Sequence, residues 1–157
     1  MAELICIRQP GGALHPATDE DADALRKIKA GSAVRVEVKM IRNYKFLQKW
    51  FTLAKYAFDI WSETVDPQEY KGQPVRPSFD RFRKDIIILG GRFDAVYNAR
   101  GEVRVEAKSI SFANMSEDEF EKLYSDTIDV ILQKILTSSS MTEAQLRDHV
   151  ENVMRYT

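Results

Sequence analysis

The chain has few residues that could hold it together by covalent or metal cross-links. Among 157 residues there are one cysteine and two histidines. A disulfide scaffold is therefore excluded. His15 and His149 stand far apart without a cysteine pair, so no metal site is expected. Cys6 lies in a short apolar run, and we interpret it as a packed hydrophobe in a reducing compartment.

Long apolar runs are also lacking. No stretch approaches the ~18 consecutive apolar residues of a membrane helix, and the start of the chain lacks the pattern of a secretion signal. With 44% hydrophobic, 10% aromatic and 30% charged residues, the composition is that of a globular protein. We therefore expect a soluble cytoplasmic protein that folds as one domain over residues 1–157 and needs no cofactor.

The net charge of −1 gives no sign of a charged partner, but the charge is unevenly distributed. Residues 1–34 sum to −1, residues 35–108 to +5 and residues 109–157 to −5. A neutral total therefore combines a basic central segment with an acidic C-terminal one. Such asymmetry influences which partners a protein binds.

The spacing of apolar residues predicts an α+β fold in which a small, mostly antiparallel sheet packs against helices. Helices are expected near residues 19–30, 45–61, 79–89, 117–136 and 142–155, and strands near residues 3–8, 33–41, 92–97 and 102–112. Residues 62–77 contain three of the five prolines and are expected to form an irregular connection.

Local signals support several of these elements. Ser116 with Glu119, and Thr142 with Gln145, have the spacing of capping boxes at the starts of the last two helices. Residues 98–101 are typical of a hairpin loop between two strands. Valines at 34, 36 and 38 alternate with charged residues, which is the period of a half-exposed strand.

The cations of the central segment predict a nucleic-acid interface. Arg35 and Lys39 fall on one face of the expected strand, the turn at Arg42 and Asn43 follows, and the outer side of the next helix begins with Lys45 and Lys49. Single strands are bound by cations that contact phosphates and by aromatic rings that stack on bases, for which Tyr44 is available. The alternative is an ordinary solvated face of lysines and arginines.

A second pattern suggests a metal-dependent nuclease. Asp94 on one strand, followed after a hairpin by Glu106 and Lys108 on the next, could hold Mg²⁺ or Mn²⁺ and orient an attacking water. Such sites usually have a third acid, for which Asp85 is the nearby candidate. The alternative is a solvated hairpin with cross-strand ion pairs, and we favour no catalytic residue.

Three segments carry a family resemblance. Residues 38–46, residues 49–53 and residues 108–115, the last reading Lys-Ser-Ile-Ser-Phe-Ala-Asn-Met, resemble a tailed-phage and prophage family of unknown function. The resemblance spans nearly the whole chain. Relatives commonly have proline just before the Lys-Ser-Ile motif, where this chain has Glu106 and Ala107, and this difference weakens the nuclease interpretation.

A more distant resemblance implies a function. The order of elements is similar to that of the NinB family, the recombination mediators of the phage lambda Orf type. The shared residues are Arg42, Asn43, Trp50, Ser109, Ser111 and Phe120. The resemblance implies an α+β homodimer that binds single-stranded DNA and helps to load a recombinase past single-strand-binding protein.

Three hypotheses follow from the sequence. The first is a non-enzymatic, single-stranded DNA-binding accessory protein of phage recombination or replication. It would act in the cytoplasm of the bacterial host, with host recombination or single-strand-binding proteins as further partners. The second is the nuclease. The third is a phage factor that binds a host protein through the acidic C-terminal segment.

Overall fold

The computed structural model describes residues 3–39 and 43–156 of the chain. It confirms the α+β class. The chain divides into two compact units, Met1–Lys39 and Met40–Thr157, which are described separately. None of the helices within the described ranges is long and apolar enough to cross a membrane.

The first unit consists of a small hairpin and one helix. Strands β1 (Cys6–Arg8) and β2 (Leu14–Pro16) pair antiparallel. Helix α1 (Asp19–Arg26) begins after Thr18, whose side chain accepts a hydrogen bond from the amide of Asp21. The buried Asp21 carboxylate in turn accepts hydrogen bonds from the Ile5 amide at 3.0 Å and the Thr18 hydroxyl at 2.6 Å. Asp21 therefore fixes α1 to the hairpin.

The strand predicted for residues 33–41 is wrong over residues 33–39, which form no strand; residues 40 and 41 lie outside the described residues. Val34, Val36 and Val38 are between 56% and 73% exposed. Alternation is a local pattern, whereas a strand also needs a neighbour to accept its backbone hydrogen bonds. Helix α1 likewise ends at Arg26 rather than residue 30, because Ile28 has no core to pack on and is 41% exposed.

The second unit is built on four helices. They are α2 (Tyr44–Thr64), α3 (Phe79–Leu89), α4 (Glu117–Val130) and α5 (Glu143–Arg155). Both capping boxes predicted from sequence are present, at the starts of α4 and α5. The helix predicted over residues 117–136 changes after Val130 into a π-helical turn, Ile131–Ile135, and a 3₁₀ turn, Phe112–Asn114, precedes α4.

The core of this unit lies where α2 packs on its neighbours. Trp50 is 1% exposed, and its indole N–H donates to the Thr127 hydroxyl on α4. The buried side chains that fill the core around it are Leu47, Leu53, Phe82, Ile86, Phe120, Leu123, Ile128, Ile131, Leu146 and Val150. All four helices contribute to this set, so each of them turns an apolar side to the interior.

Within the described ranges, the strands form three separate two-stranded antiparallel sheets instead of one small sheet. Strands β5 (Phe93–Tyr97) and β6 (Val103–Ala107) confirm the predicted hairpin, although β6 ends before the predicted limit of residue 112. Strands β3 (Gln68–Tyr70) and β4 (Gln73–Val75) form a hairpin inside the connection predicted to be irregular. Lys71 and Gly72 both have positive φ, as a two-residue hairpin turn of type I′ requires.

Candidate nucleic-acid interface

The start of α2 is anchored to the segment that leads into α4. Asn43 has left-handed backbone angles, with φ 57° and ψ 39°, and its side-chain amide donates to the Met115 carbonyl at 2.9 Å. One turn further along, the Phe46 ring stacks on Phe120 with their centroids 4.4 Å apart. The structure therefore brings residues of two resemblance segments, 38–46 and 108–115, into contact through Asn43 and Met115, and places Phe46 on Phe120.

Tyr44 and Lys45 form the first turn of α2. Tyr44 is half-buried, and Lys45 is exposed. This turn has no acidic residue, whereas the other four α-helices that the structure describes each begin with at least one. The cation and the free amides of the helix start would both favour an anion. The acidic first turn of α4, which follows Met115, offsets part of this positive charge.

Lys49 is held inside the protein's own ion pairs. Its Nζ lies 2.9 Å from a carboxylate oxygen of Glu151 on α5 and 4.8 Å from the centroid of the Tyr124 ring. Arg147 lies over the same ring, at 5.1 Å, and pairs with Glu121 at 2.7 Å. A phosphate would have to compete with Glu151 for Lys49. The lysine thus links α2 to α4 and α5.

The Tyr124 side chain is enclosed within this network. The residue is 0% exposed, and its hydroxyl has no hydrogen-bond partner among the described residues. Burial raises the pKa of Tyr124 well above its ordinary value, with the positive charge of Arg147 acting in the opposite direction. The hydroxyl therefore stays protonated at neutral pH.

The remaining predicted contacts lie elsewhere in the chain. Arg35 and Lys39 belong to the first unit and are exposed, and neither forms an ion pair with any residue that the structure describes. Arg42 falls outside the described residues. That all these cations form one nucleic-acid interface stays a prediction, because Lys45 and Lys49 belong to the other unit.

Reasoning from the sequence missed two exposed lysines that precede the predicted contacts. Lys27 and Lys29 follow α1, and both are exposed. Residues 26–45, here called the basic segment, contain seven cations and a single acid, Glu37. The cations are Arg26, Lys27, Lys29, Arg35, Lys39, Arg42 and Lys45. A boundary at residue 34 divides this run, and the signal that marks it in the sequence is the density of lysine and arginine over residues 26–45.

The three residues of the nuclease hypothesis meet at one end of the β5–β6 hairpin. Asp94 lies directly opposite Glu106, and Lys108 Nζ is 3.6 Å from Asp94 Oδ1. The side chains of Asp94 and Lys108 are 65% and 55% exposed. Asp85 pairs with Arg81 at 2.8 Å. Across the described residues, no three acidic, histidine or cysteine side chains are grouped closely enough to hold a metal ion.

An open cavity of about 830 Å³ lies between the end of α2, the β3–β4 hairpin and α3. Its wall is mainly apolar and includes Trp61, Val65, Val75 and Phe82. Of the described residues predicted to bind nucleic acid, none lines it. The cavity is therefore separate from the predicted interface.

Comparison with known families identifies the chain. Its residues 1–71 and 67–156 match the family described as "Protein of unknown function (DUF1367)". The two matches cover almost the whole sequence, so the chain belongs to this family. The predicted resemblance to a family of unknown function is thereby confirmed, and its phage origin stays a prediction.

None of the curated proteins compared with this chain matches it. A solved structure described as "Structural Genomics, NinB" matches 94% of this chain and 99% of its own, at 18% identity and a TM-score of 0.37. A similarity of this size is too low to carry a conclusion about function.

Proposed function

We propose that the protein is a non-enzymatic, single-stranded DNA-binding accessory factor of phage recombination or replication. The observation that carries the proposal is the basic segment, with seven cations against one acid in residues 26–45. The context of recombination or replication in an infected bacterium comes from the sequence resemblances, with host single-strand-binding or recombination proteins as further partners.

The accessibility of the segment supports this proposal. Residues 27–39 are all exposed and form neither helix nor strand. Lys27, Lys29, Arg35 and Lys39 form no ion pairs with residues in the described ranges. Such cations are free to replace the counterions of a phosphate backbone, and this exchange supplies most of the affinity of sequence-independent binding.

The form of the segment favours a single strand over a duplex. Thirteen residues without regular structure can extend over up to ~45 Å and can follow a flexible strand. Tyr44 is half-buried beside the exposed Lys45 and is the ring that we propose stacks on a base. The proposed contacts are therefore Lys27, Lys29, Arg35, Lys39, Arg42 and Lys45 on phosphates, with Asn43 and Tyr44 at the adjoining turn.

The salt dependence of oligonucleotide binding tests the proposal. The anisotropy of a fluorescent single strand should report binding that weakens steeply with salt, by a log–log slope of about −0.7 for each phosphate contact. The variant K27A/K29A/R35A/K39A should lose most of this binding at physiological salt and have a slope flatter by up to about 3.

A matched control carries the same change of charge outside the basic segment. The variant K71A/R76A/R100A/R155A removes four exposed cations and should bind nearly as the original protein does. Failure of the original protein to bind at low salt, or an equal loss in both variants, would contradict the proposal. Competition with duplex DNA and with RNA then ranks the polymers.

A capture experiment separates DNA binding from the binding of a host protein. The tagged protein is used to capture partners from bacterial lysate with and without nuclease treatment. Host proteins retained through DNA should be lost after treatment. A host protein that remains bound after nuclease treatment would instead support a direct protein partner, with the acidic C-terminal segment as its candidate surface.

The arrangement of Asp94, Glu106 and Lys108 supports one other candidate function. Two opposed carboxylates could bind Mg²⁺ or Mn²⁺, with Lys108 near the water that attacks a phosphate. Under this alternative, Glu106→Gln should abolish cleavage of DNA in the presence of either ion. Glu102→Gln, at the turn of the same hairpin, should leave it unchanged, and full activity of Glu106→Gln would exclude the site.

A further inference from the structure

The two faces of the β5–β6 hairpin differ in polarity. One face carries Phe93, Ala95, Tyr97, Val103, Val105 and Ala107. Tyr97 is 78% exposed, Val103 64% and Val105 41%. An apolar surface that a single chain leaves accessible in this way is typical of an interaction site.

The register of the hairpin determines which backbone groups face outward. The Asn98 amide donates to the Glu102 carbonyl at 2.9 Å, and the Lys108 amide donates to the Arg92 carbonyl at 3.1 Å. In an antiparallel pair, hydrogen-bonded positions alternate with non-hydrogen-bonded ones. Every second residue between these two pairs therefore directs its backbone toward the partner strand.

Arg104 and Glu106 consequently bond to β5, whereas the amide and carbonyl groups of Val103, Val105 and Ala107 point away from it. No residue in the described part of the chain hydrogen-bonds to these outer groups. Helix α3 neighbours β6, and Ala107 is half-buried, while residues 103–106 are exposed. This edge is a template for another strand.

We propose that the edge of β6 joins two copies of this chain. The two strands pair antiparallel about a two-fold axis at Val105, so that Val105 lies opposite its counterpart and Val103 lies opposite Ala107 of the second copy. These are the residues whose backbone groups point outward. The two hairpins then form one four-stranded sheet with a continuous apolar face.

Charge complementarity identifies the second copy as the occupant. The two-fold axis places Arg104 of each copy opposite Glu106 of the other, at a non-hydrogen-bonded position where side chains come closest. Within the hairpin, Glu106 lies opposite the like-charged Asp94, which already pairs with Lys108 at 3.6 Å, and Glu106 forms no ion pair with any described residue. An arginine of the second copy would supply one.

The edge of β5 lacks this complementarity. The backbone groups of β5 that point away from β6 belong to every second residue, including Ala95. A two-fold axis at Ala95 would place Asp94 opposite Val96 of a second copy. A carboxylate would thus face an aliphatic side chain on both sides of the axis. Of the two edges of this hairpin, β6 is therefore the one suited to self-pairing.

The size of the contact sets the expected strength. Each strand contributes five residues, fewer than the 20–30 residues per partner of a standard stable interface. We therefore expect a reversible dimer whose fraction rises with protein concentration. Sedimentation velocity over a range of concentrations measures this fraction.

A charge exchange tests the register. Arg104→Glu or Glu106→Arg alone places like charges opposite each other, and each should weaken the dimer by about tenfold or more. The double variant R104E/E106R restores opposite charges and should dimerise like the original protein. Circular dichroism confirms that each variant is folded. A monomer at every concentration, or a double variant no better than either single one, would overturn the proposal.

Cross-linking tests the position of the axis. The single native cysteine can be removed as Cys6→Ser. In that background Val105→Cys places two cysteines opposite each other, with Cα atoms about 5.5 Å apart and within disulfide range. Val103→Cys is the matched control, because its two copies would be ~13 Å apart along the strand direction. Oxidation should give covalent dimers for the first variant, and equal cross-linking of both would contradict the proposed axis.

Discussion

The indole N–H of Trp50 donates a hydrogen bond of 3.0 Å to the hydroxyl oxygen of Thr127, and both side chains are buried. The same hydroxyl donates to the Leu123 carbonyl at 2.7 Å. Because Thr127 is satisfied in both roles, it joins α2 to α4 without leaving an unpaired polar atom at this point of the core.

Breaking this bond from either side should destabilise the second unit. Thr127→Val keeps the shape but leaves the indole N–H buried without an acceptor, so we expect a loss of about 1–3 kcal/mol. Trp50→Phe should cost a similar amount or more, since it also leaves a cavity. The double variant should cost less than the sum of the two, and urea denaturation measures all three. Strict additivity would show that the bond contributes nothing.

Asn43 should tolerate glycine better than alanine. Its φ of 57° lies in the left-handed region, where a β-carbon is unfavourable and glycine is not. Both substitutions remove the hydrogen bond to Met115, so their difference isolates the backbone. We expect Asn43→Ala to be about 1 kcal/mol less stable than Asn43→Gly in urea denaturation. Equal stabilities would indicate that the turn relaxes in the variants.

Removing the Tyr124 hydroxyl should not destabilise the protein. The hydroxyl is buried without a partner among the described residues, so Tyr124→Phe should be neutral or more stable by about 1 kcal/mol at pH 7. The ring and its contacts with Lys49 and Arg147 remain. A clear loss of stability would show that the hydroxyl has a partner.

The same substitution should change the response to alkali. Burial raises the pKa of Tyr124 in the folded state. The free energy of unfolding is therefore unaffected by this group below the unfolded pKa of about 10, and it falls as pH rises above that value, because only the unfolded chain ionises there. Tyr124→Phe should therefore lose less stability than the original protein above that pH. The exposed Tyr97→Phe is the control and should follow the original curve.

Asp126 should contribute to stability at neutral pH and lose that contribution in acid. Partial burial acts to raise the pKa of Asp126, but hydrogen bonds from Lys122 and Arg92 outweigh it and lower the pKa. The contribution is present above the unfolded carboxyl pKa of about 3.9 and is lost as pH falls through the lower folded value. Asp126→Asn should lose less stability over this window.

The control for Asp126 lies on the same helix. Asp129 is exposed and forms no ion pair with any described residue. Asp129→Asn should therefore keep the acid response of the original protein, as measured by urea midpoints at successive pH values. An identical response of both variants would mean that Asp126 does not contribute to the acid transition.

Lys45 and Lys49 should separate binding from stability. Lys49→Ala removes the ion pair with Glu151 and the contact with the Tyr124 ring, so it should lower the urea midpoint. Lys45→Ala removes an exposed cation and should leave that midpoint unchanged while weakening binding to a single strand. The reverse pattern would place the phosphate contact at Lys49.

The elements predicted correctly from sequence are those defined by their own residues. Ser116 and Thr142 each cap a helix through a residue three positions later, and both capping boxes are present. The β5–β6 hairpin likewise closes over a loop of five residues, Asn98 to Glu102. Patterns of this kind depend little on distant parts of the chain, so a single sequence contains most of the information.

The errors in the predictions occur where contacts between residues far apart in the sequence determine the structure. The alternation at Val34, Val36 and Val38 predicted a strand, but no pattern in the sequence shows whether a neighbouring strand is present. The pairing of Lys49 with Glu151 joins residues about a hundred positions apart, so a lysine that was predicted to contact phosphate is engaged in an ion pair. Lys71 and Gly72 form a hairpin turn that the nearby prolines obscured.

The Trp50–Thr127 bond also constrains the order of folding. Its partners are 77 residues apart, whereas Ile5 and Asp21 in the first unit are 16 apart. Closing a longer loop costs more entropy, and contacts between distant residues slow folding. On the ribosome, the first unit can close its own contacts while α4 is still unsynthesised. The apolar face of α2 then stays exposed until α4 has been synthesised, which makes nascent α2 a natural binding site for a chaperone.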